Sequence, residues 1–221
     1  MIGLKIGSAI GKPVGRKIDG STASGGGATT STFTVAASGD NGVFYTDQYN
    51  DPAPATSYSN RLSGGSAYSV GVFRYNEGWL STRYRFYNVF LRFTNVTIPS
   101  GSTISAAKLK VDFLSGSERT FQINGYDLDN VSQPSSASDG SHMYHTSANA
   151  SWTVSASAAV HDSPEIKTIV QEIVDRSGWA SGNAMMFSIW LNATEYSSYY
   201  RNLYFIDATG QTDPQLEITY S

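Results

Sequence analysis

Apolar and polar positions alternate in short runs along most of this chain, each run bounded by Gly, Asn, Asp, Ser or Pro, and such runs predict β-strands. The best are Phe33 and Val35; Val89, Leu91 and Phe93; Leu109, Val111 and Phe113; Phe121 and Ile123; Phe187, Ile189 and Leu191; Leu203 and Phe205; and Leu216, Ile218 and Tyr220. Beside Leu109 and Val111, the interleaved Lys108, Lys110 and Asp112 predict a second face that meets water. The period changes once, where Ile166, Ile169, Val170, Ile173 and Val174 recur at spacings of three and four and predict a short amphipathic helix. Asp162, Ser163 and Pro164 read as its start, and Arg176 and Gly178 as its end. An all-β, mostly antiparallel β-sandwich with one short helix near the C-terminus is expected. The polar stretches Asp47 to Gly65 and Val131 to Trp152 read as long loops, a place where function often sits.

The first 20 residues break this pattern. Ile2-Gly3, Ile6-Gly7, Ile10-Gly11 and Val14-Gly15 repeat every fourth residue, followed by Ile18, Asp19 and Gly20. A helix here would carry its interior glycines at about 1 kcal/mol each, and Pro13 as well. In an extended chain, Ile2, Leu4, Ile6, Ile10, Val14 and Ile18 share one side, which predicts an arm that adds to a sheet edge or lies in a partner's groove. Lys5, Lys12, Arg16 and Lys17 make the arm basic within an acidic protein and point to an acidic docking surface. A disordered tail is the alternative for so glycine-rich a terminus. Gly25-Gly26-Gly27 reads as a linker, so residues 1–27 form the arm and linker, and residues 28–221 form the sandwich domain.

Composition narrows the classes. At 221 residues and 40% hydrophobic content the chain can bury one sandwich-sized core, and only 15% of residues are charged. The formal net charge of −3 offers no general attraction to nucleic acid. Absence of cysteine excludes disulfides, thiolate metal sites and cysteine nucleophiles. There is no run of about 18 apolar residues to span a membrane. The stretch from Ile2 to Ile18 lacks the apolar segment of a signal peptide, so a protein acting outside the cell is expected to leave by lysis or on a particle.

Several motifs together resemble a known family. They are Phe33-Thr-Val-Ala-Ala-Ser-Gly-Asp-Asn-Gly42; Tyr87-Asn-Val-Phe-Leu-Arg-Phe-Thr-Asn-Val-Thr-Ile-Pro-Ser-Gly-Ser-Thr-Ile-Ser-Ala-Ala-Lys-Leu109; Gly125-Tyr-Asp-Leu-Asp-Asn130; Ala150-Ser-Trp152; Gln171-Glu-Ile-Val-Asp-Arg-Ser-Gly-Trp-Ala-Ser-Gly-Asn183; and Pro214-Gln-Leu-Glu-Ile-Thr-Tyr220. Over roughly residues 30–221 this resembles the jelly-roll domains called DNRLRE-type or carbohydrate-binding-module-like. The resemblance implies a jelly roll and a non-enzymatic adhesive or structural module of the kind found in bacterial surface proteins and phage particles.

Candidate chemistry is sparse. Asp127 and Asp129, with Asn130, are calcium candidates, since jelly-roll binding modules often carry that ion; an Asx turn is the preferred reading, as fuller oxygen sets mark calcium loops. His142 and His145, near Asp139, read as residues of a solvated loop without the fixed ligands a metal needs. Trp179 reads as a wedge between helix and sheet, and Asn183 as a loop brace. Ser181 misses the nucleophile elbow, and the glutamates form no recognisable acid pair, so no catalytic residue or other cofactor is assigned. Aromatic residues crowd the segments around Trp79 and Tyr199. Trp79, Tyr199 and Tyr200 are candidate glycan contacts, against the commoner use of strand aromatics in packing.

The expectation is therefore a non-enzymatic virion structural protein, a capsid or tail decoration present in multiple copies. Its arm would bind other virion proteins and its jelly roll would face outward. A carbohydrate-binding or adhesin module recognising host-surface glycans is the alternative.

Overall fold

A computed structural model describes residues 27–221; the arm residues Ile2 to Ile18 lie outside the described residues. Twelve strands follow: β1 (Thr29–Thr34), β2 (Asn41–Tyr49), β3 (Asn60–Ser63), β4 (Ala67–Asn76), β5 (Thr82–Phe93), β6 (Ile104–Phe113), β7 (Arg119–Tyr126), β8 (His145–Val154), β9 (Ala159–Asp162), β10 (Met185–Trp190), β11 (Tyr199–Tyr204) and β12 (Gln215–Tyr220). Among the described residues the one α-helix, α1 (Lys167–Val174), lies between β9 and β10. The pairings are antiparallel throughout.

Strand β5 organises the sandwich. One edge takes β2 along its whole length, while the other takes β4 beside Thr82–Tyr87 and then β10 beside Val89–Phe93. From that fork one layer continues through β11 to β6, β12 and β1, and the other continues through β7 to β8. Phe113 meets Trp152 edge-on at 5.4 Å between ring centroids, and Phe121 meets Tyr199 at 6.2 Å, so side chains of the two layers interlock. The expected alternation is realised: Leu91, Phe93, Leu109, Val111, Ile123, Phe187, Ile189, Leu216 and Ile218 all fall within one core. At about 25 cal/mol per Å² of apolar surface removed from water, this burial is the main source of stability.

The predicted helix forms, with Ile166, Ile169, Val170, Ile173 and Val174 buried. Its ends differ from expectation. Ile166 is the N-cap residue, and Ser163 instead accepts a hydrogen bond from Leu109 N at 2.9 Å. The Glu165 carboxylate receives Lys167 N at 2.8 Å and Ala107 N at 2.7 Å, so one acceptor serves the helix start and a strand together. Gln171 receives Ile104 N at 2.7 Å, and Glu172 receives Ser147 N at 2.7 Å and Ala148 N at 2.8 Å. The polar side of the helix thus satisfies strand N–H groups on β6 and β8, closing one opening of the sandwich. Trp179 is buried and donates to Ile98 O at 3.0 Å, the wedge expected of it.

Two expected loops contain strands. β3 lies within Asp47 to Gly65, and most of β8 lies within Val131 to Trp152. Among the described residues strand β8 pairs only with β7, and it buries Thr146, Trp152 and Val154, so its Ser- and Asn-rich sequence reflects a half-solvated edge. Asp112, expected in water, is buried and accepts a hydrogen bond from Thr212 N at 3.4 Å.

Arg201, only 1% exposed, fastens two turns at once. Its guanidinium donates to the carbonyls of Leu114, Ser117, Ser155 and Ser157, at 3.2 Å for Ser117 and 3.3 Å for Ser157. Burial holds its pKa below the usual arginine value, yet a guanidinium stays charged at neutral pH. Arg201→Ala is expected to lower stability by about 3 kcal/mol, because buried carbonyls lose their donors. Arg201→Lys should recover only part of this, since an ammonium lacks the fork. Urea denaturation of the three proteins checks both values.

Candidate functional site

Three strand registers align aromatic and arginine side chains on one face. Across β5, strand β2 sets Tyr45 against Tyr87, Asp47 against Arg85 and Tyr49 against Arg83. On the other edge, β4 sets Gly71 against Tyr87, Phe73 against Arg85 and Tyr75 against Arg83, and β11 adds Tyr200 opposite Gly71. Alternate residues of a strand share a face, so these side chains form one continuous surface. The contacts agree. Phe73 stacks on Tyr200 at 3.8 Å and meets Tyr87 edge-on at 5.6 Å, while Tyr45 lies 5.7 Å from Tyr87. Gly71 has φ +113°, and a Cβ there would lie 2.1 Å from Tyr199 O, so only glycine fits. No side chain therefore separates Tyr87 from Tyr200.

The charges on this face are matched. Arg85 grips Asp47 with two bonds of 2.7 Å, and Arg83 pairs with Glu77 at 2.8 Å and with Asp47 at 3.5 Å. Their guanidinium groups lie 4.6 Å above Tyr75 (Arg83) and 5.0 Å above Tyr45 (Arg85). Hydrogen bonding to Arg85 holds the Asp47 carboxyl below the ordinary value, against the opposing effect of burial. The result is an amphipathic surface, aromatic between fixed ion pairs and with no surplus of either sign among these four groups.

The same face leads to an exposed tip. The turn from β4 to β5 carries Trp79, 93% exposed, and Leu80, 74% exposed; Tyr196 and Tyr49 are 73% and 57% exposed. Arg74 N bonds Ser198 Oγ at 3.0 Å, Thr82 N bonds Asn50 Oδ1 at 2.9 Å, and Glu195 N bonds Pro52 O at 3.3 Å. These bonds gather the β4–β5 turn, the segment after β2 and the segment before β11 at one end. That end is opposite the one where the described residues begin. Thr29 lies beside Tyr220, which lies beside Ile104 at the start of β6. From there the path runs along β6 to Phe113, across to Leu203, back along β11 to Tyr199 opposite Val72, and out along β4 to Asn76.

Of the predicted glycan contacts, Trp79 and Tyr200 belong to this tip and face, and Tyr199 does not. The Tyr199 hydroxyl accepts Thr120 N at 2.8 Å, and its ring packs beneath Arg119 at 4.4 Å. The calcium candidates Asp127 and Asp129 both bind Arg176, at 2.6 Å for Asp129. A guanidinium fills the place of a cation, so these carboxylates do not fit calcium. A Cβ at Gly178 would lie 2.1 Å from Asp129 Oδ2, so a larger residue there would displace that carboxylate from its place beside Arg176. Among the described residues no group of three His, Cys, Asp or Glu is arranged to hold a metal. Asn183 braces the same corner by donating to Asp129 O at 3.0 Å. Ser181 is an exposed turn residue. The arm residues Ile2, Leu4, Lys5, Ile6, Ile10, Lys12, Val14, Arg16, Lys17 and Ile18 lie outside the described residues.

His142 and His145 are packed, contrary to the solvated-loop expectation. Their rings stack at 4.2 Å, His142 also lies 4.2 Å from Trp190, and Tyr126 meets His145 edge-on at 5.3 Å. The Tyr58 hydroxyl bonds His142 Nε2 at 3.0 Å. Asp139 turns away to receive Ser135 N at 2.8 Å and Ser136 N at 2.9 Å.

Tyr45, Asp47, Phe73, Tyr75, Arg83 and Arg85 were not legible as site residues, because β2 and β4 were not foreseen and their registers were lost with them. The alternation of Arg83, Arg85 and Tyr87 against Tyr84 and Phe86 was the available signal. No protein-family model matches this chain, and no curated protein matches it. What fold and surface define is an all-β module with one aromatic face, and no helix among the described residues is long and apolar enough to cross a membrane.

Burial lowers the His142 pKa to about 4 and the His145 pKa to about 3, with the neighbouring His142 adding to the latter. An unfolded imidazole titrates near about 6.5, so below that pH the unfolded chain takes up protons that the folded chain refuses. Stability is then full above about pH 6.5 and falls as pH drops toward about 4, whereas carboxylates held low, such as Asp47, act below that window. Urea midpoints measured through this window are expected to decline, and the decline should flatten in a His142→Gln, His145→Gln double variant.

Proposed function

We propose that this protein is a non-enzymatic virion structural module, anchored in the particle by its N-terminal arm and displaying the β-sandwich outward. The observation that carries this reading is the polarity of the sandwich. The chain enters at the end marked by Thr29 and Tyr220, while Trp79, Leu80, Tyr49 and Tyr196 stand exposed at the other. A module held at one end and apolar at the other suits attachment on one side and contact on the other. The sequence of the arm supplies apolar and basic residues for the attachment, and many copies on one particle would strengthen weak contacts by avidity. The resemblance to jelly-roll modules of phage particles and bacterial surfaces supports the same placement.

A carbohydrate-binding or adhesin module is the second reading, favoured by the aromatic face of Tyr45, Phe73, Tyr75, Tyr87 and Tyr200. Aromatic planes take the C–H faces of sugars, and fixed ion pairs beside them offer hydrogen bonds without net charge. The two readings combine if the displayed surface is the glycan-binding one.

Deleting residues 2–20 is expected to leave the circular dichroism spectrum unchanged and to abolish co-sedimentation with assembled particles. Normal incorporation of that truncated chain would refute the anchor. Trp79→Ala with Leu80→Ser should leave incorporation intact and reduce attachment of particles to host cells. Saturable binding on a glycan array, lost with Phe73→Ala and Tyr200→Ala while particle incorporation is never observed, would favour the second reading.

A further inference from the structure

Strand β6 meets β11 only at its end. Leu203 pairs with Phe113 and Asn202 O receives Leu114 N at 3.0 Å, after which the chain turns through residues 115–118 into β7. Among the described residues, β11 before Leu203 therefore has no strand on that side, and between its edge and the turn lies a cavity of 230 Å³. This is smaller than the range of about 300–1,000 Å³ typical of sites for whole small molecules, and it suits a single charged group. Ser115, Ser117, Arg119, Arg201 and Asn202 line it, and no carboxylate does.

Two positive charges meet here without a negative one. Arg201 is buried and answered by the carbonyls of two turns, which are dipoles and leave its net charge standing. Arg119 lies over Tyr199 and donates through Nη1 to Glu118 O at 3.0 Å. Among the described residues neither arginine has an Asp or Glu within ion-pair distance, whereas Arg83, Arg85, Arg92 and Arg176 all do. The Arg201 pKa is held down by burial and then by the charge of Arg119, the mark of like charges drawn together. A buried charge is costly unless a counter-charge answers it, so this pair calls for one from outside.

The Nε atoms of both arginines are enclosed, so contact falls to groups that solvent reaches. Arg119 Nη2 has no partner among the described residues and is not enclosed, and the Ser115 and Ser117 hydroxyls belong to exposed turn residues. Asn202 Oδ1 accepts from Ser69 Oγ at 2.6 Å, which leaves the amide NH₂ as a donor. We propose that this cavity binds a tetrahedral oxyanion, a phosphate or sulfate group, held by Arg119 Nη2, the Ser115 and Ser117 hydroxyls and the Asn202 amide, with Arg201 contributing its charge from the wall. Each reachable group is a donor or can act as one, so an ionised oxyanion satisfies them together and supplies the charge that the two arginines lack. The site borders the aromatic face at Tyr200 but uses different groups, and it does not depend on either reading of that face.

The test is a titration of the full chain at neutral pH with sodium phosphate and, separately, sodium sulfate, with ionic strength held constant by sodium chloride and amide NMR shifts as the readout. At least one of the two salts is expected to give saturable shifts centred on residues 115–119 and 200–202 with millimolar affinity, and to raise the thermal midpoint above its value in chloride. The tighter of the two identifies the group. Arg119→Gln should weaken binding about tenfold, the loss of one charged hydrogen bond, and Arg119→Lys should recover part of it. Ser117→Glu places a carboxylate at an exposed position of the turn and supplies the counter-charge from within the chain. It is expected to raise the midpoint in chloride and to abolish the response to both salts. Trp79→Ala should change nothing, which separates this site from the tip. Absence of saturation with both salts at about 100 mM, or shifts that chloride alone reproduces, would overturn the proposal. An Arg119→Gln variant that binds as tightly as the native chain, or a Ser117→Glu variant that still responds to either salt, would overturn it equally.

Discussion

The forked edge of β5 is the constraint on which the rest of the molecule depends. Because β4 and β10 share that edge in succession, the sheet must divide after Tyr87, and the space between the branches becomes the core. The residues at the division reflect this. Asn88 to Leu91 are buried on both faces of the strand, whereas Arg83, Arg85 and Tyr87 keep one partly solvated side. A single strand therefore carries an interior half and a surface half. The aromatic face is the surface half extended onto β2, β4 and β11, and the core rigidity that fixes Val89 and Leu91 also fixes the register of Tyr87 and Arg85.

Polar groups do the work of closing the sandwich where strands end. Arg201 ties the β6–β7 and β8–β9 turns through four carbonyls, Arg176 ties the end of the helix to Asp127 and Asp129, and Glu165, Gln171 and Glu172 receive strand N–H groups. The two arginines act under different conditions. Arg201 is buried and answered only by carbonyl dipoles, so its loss strands acceptors in a dry site. Arg176 is partly exposed and answered by carboxylates, where solvent screens the attraction and lowers its worth. Such fastening contrasts with the β4–β5 turn, whose Trp79 and Leu80 project into solvent without comparable ties. Large apolar side chains left exposed at one end of an otherwise well-fastened domain have a physical cost in water, and contact with a partner offsets it.

Much of the fold was legible because it rests on period and burial. The helix was visible in the spacing of Ile166 to Val174, and the core strands in the alternation of large apolar residues. What escaped was decided by partners remote in sequence. Strand β8 looks like a loop because its exposed side is Ser and Asn, and strand β4 is interrupted by Gly71, whose role appears only when Tyr199 O is seen against it. The same reason explains the calcium candidates. Asp127 and Asp129 do form a cation site, but the cation is Arg176, which the sequence placed 47 and 49 residues away with a role at the helix terminus. The histidine pair likewise becomes a packed unit only when Trp190 and Tyr58 close over it.

The two faces of β5 point to a division of labour for recognition. On one side the arginines are already committed to Asp47 and Glu77, so an incoming acidic group would have to compete with ion pairs of 2.7 and 2.8 Å, and the surface favours neutral, flat partners. On the other side Phe44 and Phe90 pack with Tyr126, Val131 and Met186 into a buried apolar cluster that holds the strand in place. A broad platform of half-buried rings gives contact area with little orientation, so its hold on a flat partner grows with the number of rings that partner covers.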